Sequence, residues 1–294
     1  MAKKTNPKPA VNTAPKSATV PTPPKEKTAS PKKSLSITTL ICIGLAVISL
    51  VVYFNTLRNG YVLDDSVVTT KNTIVNKGFE GIPELLRTPR MTGVAYFKND
   101  NYRPLSLVMF AAEVELFGSN PTIGHLFNIV FFAGCVVLLF LFLDKLFGRQ
   151  KTVVALIASL LFAVHPIHTE VVANIKSRDE IMCFFFAFLS MNLFLNYMEK
   201  GKILQLIAGI IAFFLSFISK ETVFTFLAIV PLVFFFIRNE NRTRAILITS
   251  GTVVAFAVFW VIRTRVLDAY GCSTTAIEFI DNALVKAPSV SMKI

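Results

Sequence analysis

The chain has 294 residues, of which 53% are hydrophobic and 16% charged, with 28 phenylalanines and a formal net charge of +12. That balance excludes an ordinary soluble domain and describes an integral membrane protein. The positive charge is concentrated at one end, in Lys3, Lys4, Lys8, Lys16, Lys25, Lys27, Lys32 and Lys33, where no aromatic residue is interleaved to stack on bases, so no nucleic acid is expected as a partner.

Residues 1–34 are rich in Lys, Pro, Thr and Ser. Such a segment has too little apolar area to order itself, and it reads as a disordered basic tail on the cytoplasmic side, attracted weakly to anionic membrane lipid. The charge-free run Ser36–Phe54 follows, long enough to cross a bilayer, which takes about 20 residues. Its length, its long leading tail and the lack of a small-x-small site after it argue for a retained anchor rather than a cleaved signal peptide. Further apolar runs cover Ile123–Leu143, Thr152–Val164, Ile181–Tyr197, Ile203–Ser219, Thr222–Ile237 and Ala245–Ile262, for about seven candidate spans in residues 35–265. Lys220 and Glu221 split what would otherwise be a stretch too long for one crossing, so two short spans or a hairpin are expected there.

The basic tail, the Lys145–Lys151 loop, the Glu199–Lys202 loop and the Arg238–Arg244 loop alternate with the other connections. The excess of Lys and Arg in short cytoplasmic loops then puts the N-terminus inside. The outer side receives a long loop over residues 55–122, His165–Glu180, the Lys220-Glu221 turn and residues 266–294, a closing segment that reads as truncated. Within the long loop, Pro104 opens a helix that runs to Phe117, with Leu105, Val108, Met109, Ala112 and Leu116 as an apolar stripe and Glu113 and Glu115 polar. It is expected to lie in the membrane interface. Cys42, Cys135 and Cys183 fall in apolar runs and read as small hydrophobes; Cys272 lies in polar sequence, and no disulfide framework is visible.

Ionisable residues gather on the outer side. Asp64 and Asp65 lie just past the end of the first span, ten residues beyond Phe54. Adjacent carboxylates repel, which favours one of them holding a proton and suits proton abstraction at a membrane surface, although Asp is also common in plain turns. Tyr61, Val62 and Leu63 before the pair are expected to keep water from Asp64 and put it slightly ahead as the base, with Asp65 orienting it or pairing with a cation such as Arg103. His165, His168 and Glu170 precede the fourth span, and Lys220 and Glu221 sit between two short spans. His165 and His168 with Glu170 nearby could hold a divalent metal, but no third strong ligand is fixed by spacing and histidines beside a proline at a helix start are often plain caps, so the metal is the lesser expectation and no other cofactor is expected. Lys176 and Lys220 can serve as headgroup anchors, or the charges can pair locally, Lys220 with Glu221 and Arg178 with Glu180. Arg178 presents a planar fork suited to phosphate. No Walker or Rossmann glycine pattern occurs, which argues against a soluble nucleotide donor.

The segments Tyr61-Val-Leu-Asp64-Asp65, Tyr102-Arg103-Pro104-Leu105, His165-Pro166-Ile-His168-Thr-Glu170 with Arg178 following, and Ser219-Lys220-Glu221 resemble those of multi-spanning O-mannosyltransferase-like proteins that carry tetratricopeptide repeats, members of the GT-C glycosyltransferases. The resemblance runs in order from about Leu40 to Pro288. It implies an all-α, GT-C-like membrane bundle, a sugar donor linked to polyprenyl phosphate, inverting transfer, and a protein Ser or Thr acceptor. Asp64 and Asp65 match the catalytic motif. Arg178, Lys220 and Arg103 are the matching candidates for the donor phosphate, with His165, His168, Glu170 and Glu221 as further residues of the same face. The family's additional spans and repeat domain have no counterpart here, so a fragment, inactive alone, is one expectation. The rival readings are a transporter or channel subunit and an inactive membrane scaffold. Charges clustered at one face, with no inverted repeat, favour the enzyme.

Overall fold

The computed structural model describes residues 1–3, 36–62, 64–94, 101–238 and 240–271. Residues 4–35 of the basic tail, Leu63, residues 95–100, Asn239 and residues 272–294, which include Cys272 and most of the closing segment, lie outside the described residues. All regular structure among the described residues is helical.

The first helix, α1, covers Ile37–Tyr53. Ser36 caps it, its hydroxyl accepting a hydrogen bond from the Thr39 amide at 3.2 Å. Leu45, Ser49 and Tyr53 recur every four residues and are buried, while Leu40, Ile43, Val47 and Val51 are exposed. A 3-10 turn, Phe54–Arg58, ends it. The next long helix, α5 (Pro121–Phe147), starts with Asn120 accepting from the Thr122 amide at 3.0 Å and with Pro121 in its first turn. Helix α6 (Thr152–Val164) is short. Helix α8 (Arg178–Lys200) is central, and α9 (Ile203–Ser219) packs closely along it. The chain leaves α9 at Lys220 in an extended conformation. It resumes as the 3-10 turn Glu221–Thr225, α10 (Phe226–Pro231) and a π turn over Leu232–Ile237. Pro231 has no amide hydrogen for the regular ladder, and the helix loosens right after it. Asn241 caps α11 (Arg242–Ala269) by accepting from the Arg244 amide at 3.0 Å.

Four stretches are long and apolar enough to cross a membrane: Ile37–Arg58, Pro121–Phe147, Ile175–Lys200 and Arg242–Ala269. Three shorter apolar helices coincide with the remaining expected spans, Thr152–Val164, Ile203–Ser219 and Glu221–Ile237. With their exposed apolar faces, these helices make the chain an integral membrane protein.

The segment between α1 and α5 folds over one end of the bundle. It contains α2 (Asp65–Val68), a 3-10 stretch (Val75–Gly81), α3 (Ile82–Leu85) and α4 (Pro104–Phe117). Val68, Ile74, Val75, Leu85, Leu107, Phe110, Ala111 and Ile175 form its own small core. Ile175 belongs to the approach to α8, so this core fastens the loop to the bundle. The face that α4 buries is not the expected stripe. Ser106, Leu107, Phe110, Ala111 and Glu113 point inward, Leu105, Val108, Met109 and Ala112 are half-buried, and Leu116 is exposed. A buried guanidinium beneath α4 requires Glu113, and that rotates the helix.

Tight helix contacts depend on residues without side chains. A Cβ on Gly209 of α9 would lie 2.4 Å from the Phe194 ring of α8, whereas one on Gly44 of α1 would meet nothing within 4 Å. Gly209→Ala is therefore expected to lower stability by about 1–3 kcal/mol through overpacking. Gly44→Ala should be neutral or slightly stabilising, as measured by thermal unfolding of the purified protein in detergent.

Candidate active site

Asp65 is fully buried. Its carboxylate accepts hydrogen bonds from the Lys176 amide at 2.8 Å and the Val62 amide at 3.1 Å. It thus ties the start of the outer loop to the approach to α8. Asp64, the residue before it, has a 61% exposed side chain with one oxygen 3.5 Å from the Lys176 ammonium. The two carboxylates face different surroundings, one enclosed by backbone donors and one open to solvent. Tyr61 and Val62 do not shield Asp64 as the sequence suggests.

Arg178, the first residue of α8, is sealed from solvent. Its Nε donates to Asn128 Oδ1 at 2.8 Å, Nη2 to the Gly124 carbonyl at 2.7 Å, and Nη1 to Glu113 Oε1. The Phe110 ring covers it at 4.5 Å. Burial raises the Glu113 carboxyl above its ordinary range, with Arg178 working in the opposite direction. A guanidinium enclosed in this way presents no surface to a donor phosphate, and its partner is Glu113 rather than Glu180. Arg178 holds α4 and α5 to the start of α8.

Asp179, the next residue, is also buried and sits between two guanidiniums, Arg90 Nη1 at 3.1 Å and Arg103 Nη1 at 3.0 Å. Arg103 also donates from Nε and Nη2 to the two oxygens of Glu221 at 2.8 and 2.6 Å, the bidentate geometry that suits a carboxylate or phosphate. Burial pushes the Arg103 guanidinium down, but Glu221 and Asp179 more than offset it and leave it above its ordinary value. Burial dominates at Arg90 and lowers it. Asp64 lies within electrostatic reach of Arg90, so the open carboxylate and this cluster share one region.

Lys220, extended after α9, pairs with Glu180 of α8, not with its neighbour Glu221. Helix α7 (His168–Ala173) carries His168 against Phe162, with ring centroids 4.2 Å apart, and against Phe132. Burial and nearby His165 hold its pKa below the ordinary imidazole range. His168 and Glu180 border an apolar pocket of about 170 Å³ floored by Phe132, Phe162 and Phe184. His165 is exposed and accepts from the Ile167 amide at 3.2 Å, a local turn bond; Glu170 is exposed. Among the described residues no group of three or more His, Cys, Asp or Glu side chains is placed to hold a metal ion.

Asp64, Asp65, Arg103, Lys220 and Glu221 are therefore gathered at one end of the bundle, while His165 and Glu170 stay at its margin. Glu113, Asn128, Arg90 and Asp179 escape a reading of the sequence. Glu113 is one polar residue of an apolar helix, and Arg90 lies in a loop with no motif. Asp179 stands in the charged run Lys176–Glu180 before the fourth span, but nothing in that run indicates that Arg90 and Arg103 are its partners.

Residues 103–263, more than half of the chain, match the family model described as dolichyl-phosphate-mannose-protein mannosyltransferase. The chain belongs to this mannosyltransferase family. It is 29% identical to Protein O-mannosyl-transferase Tmtc1 of Drosophila melanogaster over 259 residues, 84% of this chain and 29% of that protein. It is 36% identical to Protein O-mannosyl-transferase TMTC3 of Homo sapiens over 151 residues, 47% of this chain and 15% of that protein. The chain thus spans less than a third of the length of these relatives. No solved structure matches it. The mannosyltransferase model begins at Arg103 and takes in Glu113, Arg178, Asp179, Lys220 and Glu221, leaving Asp64, Asp65 and Arg90 before it.

The Arg178–Glu113 pair generates a stability prediction. Removing one partner of a buried ion pair leaves an uncompensated charge and costs about 3–5 kcal/mol, whereas replacing both with apolar groups is far milder. Glu113→Ala is expected to lose about that much, and Arg178→Met with Glu113→Leu to recover most of it. Chemical unfolding of the purified protein in detergent measures both.

Proposed function

We propose that this chain carries the catalytic loops of a membrane O-mannosyltransferase. The enzyme transfers mannose, or a closely related sugar, from a polyprenyl-phosphate donor to a Ser or Thr hydroxyl of an acceptor protein. One observation carries the reading: a solvent-open carboxylate, Asp64, held by its buried neighbour Asp65 beside a cluster of guanidiniums and an ammonium at one end of an apolar bundle. Asp64 is the general base for the acceptor hydroxyl. Asp65 positions it, since both of its oxygens are occupied by backbone donors.

The donor phosphate carries negative charge that grows as the sugar departs, and fixed cations stabilise it there. All the candidate cations pair with carboxylates in this structure, so a phosphate enters by exchange. The exchangeable pairs are the accessible ones. Glu221 is 30% exposed on Arg103 and Glu180 is 39% exposed on Lys220, while Arg178 is sealed. Arg103 and Lys220 are therefore the phosphate ligands of this reading, and Arg178 supports the site from beneath. The prenyl chain stays in the bilayer beside the exposed apolar helix faces.

The protein expressed from its complete reading frame, in native membranes, provides the test. Asp64→Asn is expected to slow transfer from a lipid-linked mannose donor to a Ser/Thr peptide by at least ~100-fold, the usual scale for losing a general base. Full activity in the Asp64→Asn, Asp65→Asn double variant would leave the transporter or scaffold reading standing. Orientation is tested separately. The basic-loop pattern puts the N-terminus in the cytoplasm. A cysteine at exposed Thr70 is then expected to react with an impermeant reagent on the outer, periplasmic or lumenal, side, and one at exposed Thr243 to be spared. The opposite labelling would remove the carboxylates from the side on which the donor is presented.

A further inference from the structure

The end of the bundle away from Asp64 holds a polar cavity of about 480 Å³. The start of α1, the last turns of α5 and α8, and Arg238 after the π turn surround it, with Lys145, Lys200 and Arg238 facing the carboxylates Asp144 and Glu199 and the neutral Thr38 and Asn196 in its wall. Its size falls within the range of small-molecule sites, about 300–1,000 Å³.

The charges in this wall are incompletely matched. Lys145 is half-buried, and its ammonium donates to Asn196 Oδ1 at 3.0 Å and Asn192 Oδ1 at 3.3 Å, both neutral amide oxygens. Asp144, one residue earlier, also lines the cavity and accepts from the Thr152 hydroxyl at 2.5 Å. Among the described residues neither Lys145 nor Lys200 forms an ion pair. Arg238 is engaged by Glu199 at 3.3 Å and Glu240 at 2.9 Å. An ammonium has three donors, and the hydrogen-bond partners of this partly buried one are neutral; Glu199 and Asp144 in the same wall act on it only through space, each being engaged elsewhere, by Arg238 and by Thr152. A tetrahedral anion entering the cavity supplies a charged partner. Lysine binds phosphate as a point charge and needs no forked geometry.

Apolar surface adjoins this anion position. Ile37 and Leu40, on the turns of α1 that flank Thr38, are 73% and 52% exposed, and Leu141 contributes an apolar patch to the cavity wall. A phosphate in the cavity can therefore carry acyl chains along α1. We infer that this cavity binds a phosphate ester, the headgroup of an anionic phospholipid, with Lys145 and Lys200 as its counter-charges. The site is separate from the proposed transfer chemistry and uses none of its residues.

The test uses the full chain purified in a phosphate-free detergent. Binding of dihexanoyl phosphatidic acid, dihexanoyl glycerol and inorganic phosphate is measured by calorimetry. Phosphatidic acid is expected to bind and the neutral glycerol ester not to bind. Lys145→Met should weaken the phosphatidic acid at least tenfold, while Lys145→Arg should retain it. Asn196→Asp puts a carboxylate against the same ammonium without removing any cation, and is expected to weaken binding to a similar degree. It decides the matter if Lys145→Met does not fold. Inorganic phosphate binding as tightly as phosphatidic acid, with the same response to Asn196→Asp, would keep the phosphate site and assign it a free anion instead of a lipid. Equal binding of phosphatidic acid and the glycerol ester, or indifference to Asn196→Asp, would overturn the inference.

Discussion

Two adjacent residues of opposite charge at the head of α8, Arg178 and Asp179, are both buried, and the arrangement of the candidate site depends on satisfying them. A helix start inside a membrane protein cannot leave such groups bare, because uncompensated charge there costs several kcal/mol. Arg178 draws Glu113 from α4 and Asn128 from α5, and Asp179 draws Arg90 and Arg103 from the outer loop. The two point into different neighbourhoods, so one helix end organises two walls. One wall seals α4 against the bundle. The other collects the guanidiniums of Arg90 and Arg103 around Asp179.

This accounts for the division of labour among the charges. Ion pairs that are sealed, such as Arg178 with Glu113, add little net stability relative to a well-packed apolar pair. They define where α4 sits. Pairs nearer the surface, Arg103 with Glu221 and Lys220 with Glu180, keep cations in place with carboxylates that solvent reaches. A family that handles a phosphate-linked sugar has use for both kinds: a rigid frame, and cations whose partners can be exchanged. The Asp pair repeats the pattern in miniature, with Asp65 locked by backbone amides and Asp64 left open.

The ends of the bundle differ in the state of their cations. Near Asp64, Arg103, Arg178, Lys176 and Lys220 each have a carboxylate partner. At the far end, Lys145 is held by two asparagine side chains and Lys200 lies at the cavity wall. The cavity wall at that end carries three cations, Lys145, Lys200 and Arg238, against two carboxylates, Asp144 and Glu199, an excess suited to a bilayer surface that presents more anionic lipid.

Hydropathy by itself determined the membrane class and the positions of the seven apolar helices, because burial in lipid demands uninterrupted apolar sequence and the loops must interrupt it. Local chemistry determined several boundaries: Ser36, Asn120 and Asn241 as caps, Pro104 and Pro121 as helix openers, and Lys220 as a break. Short motifs in order were enough to suggest the family and the importance of Asp64 and Asp65. Only the tertiary structure decided which charges meet. Glu113 and Arg178 are 65 positions apart, Arg103 and Glu221 are 118 apart, and Asp65 and Lys176 are 111 apart. Pairing by proximity in sequence suggested Arg178 with Glu180 and Lys220 with Glu221. The fold rejected both, because a side chain's partner at a helix end is set by the elements packed against that end. The same reason hid Arg90 and turned α4 away from its expected stripe: neither carries a local signal, and each is placed by a buried charge that belongs to another part of the chain.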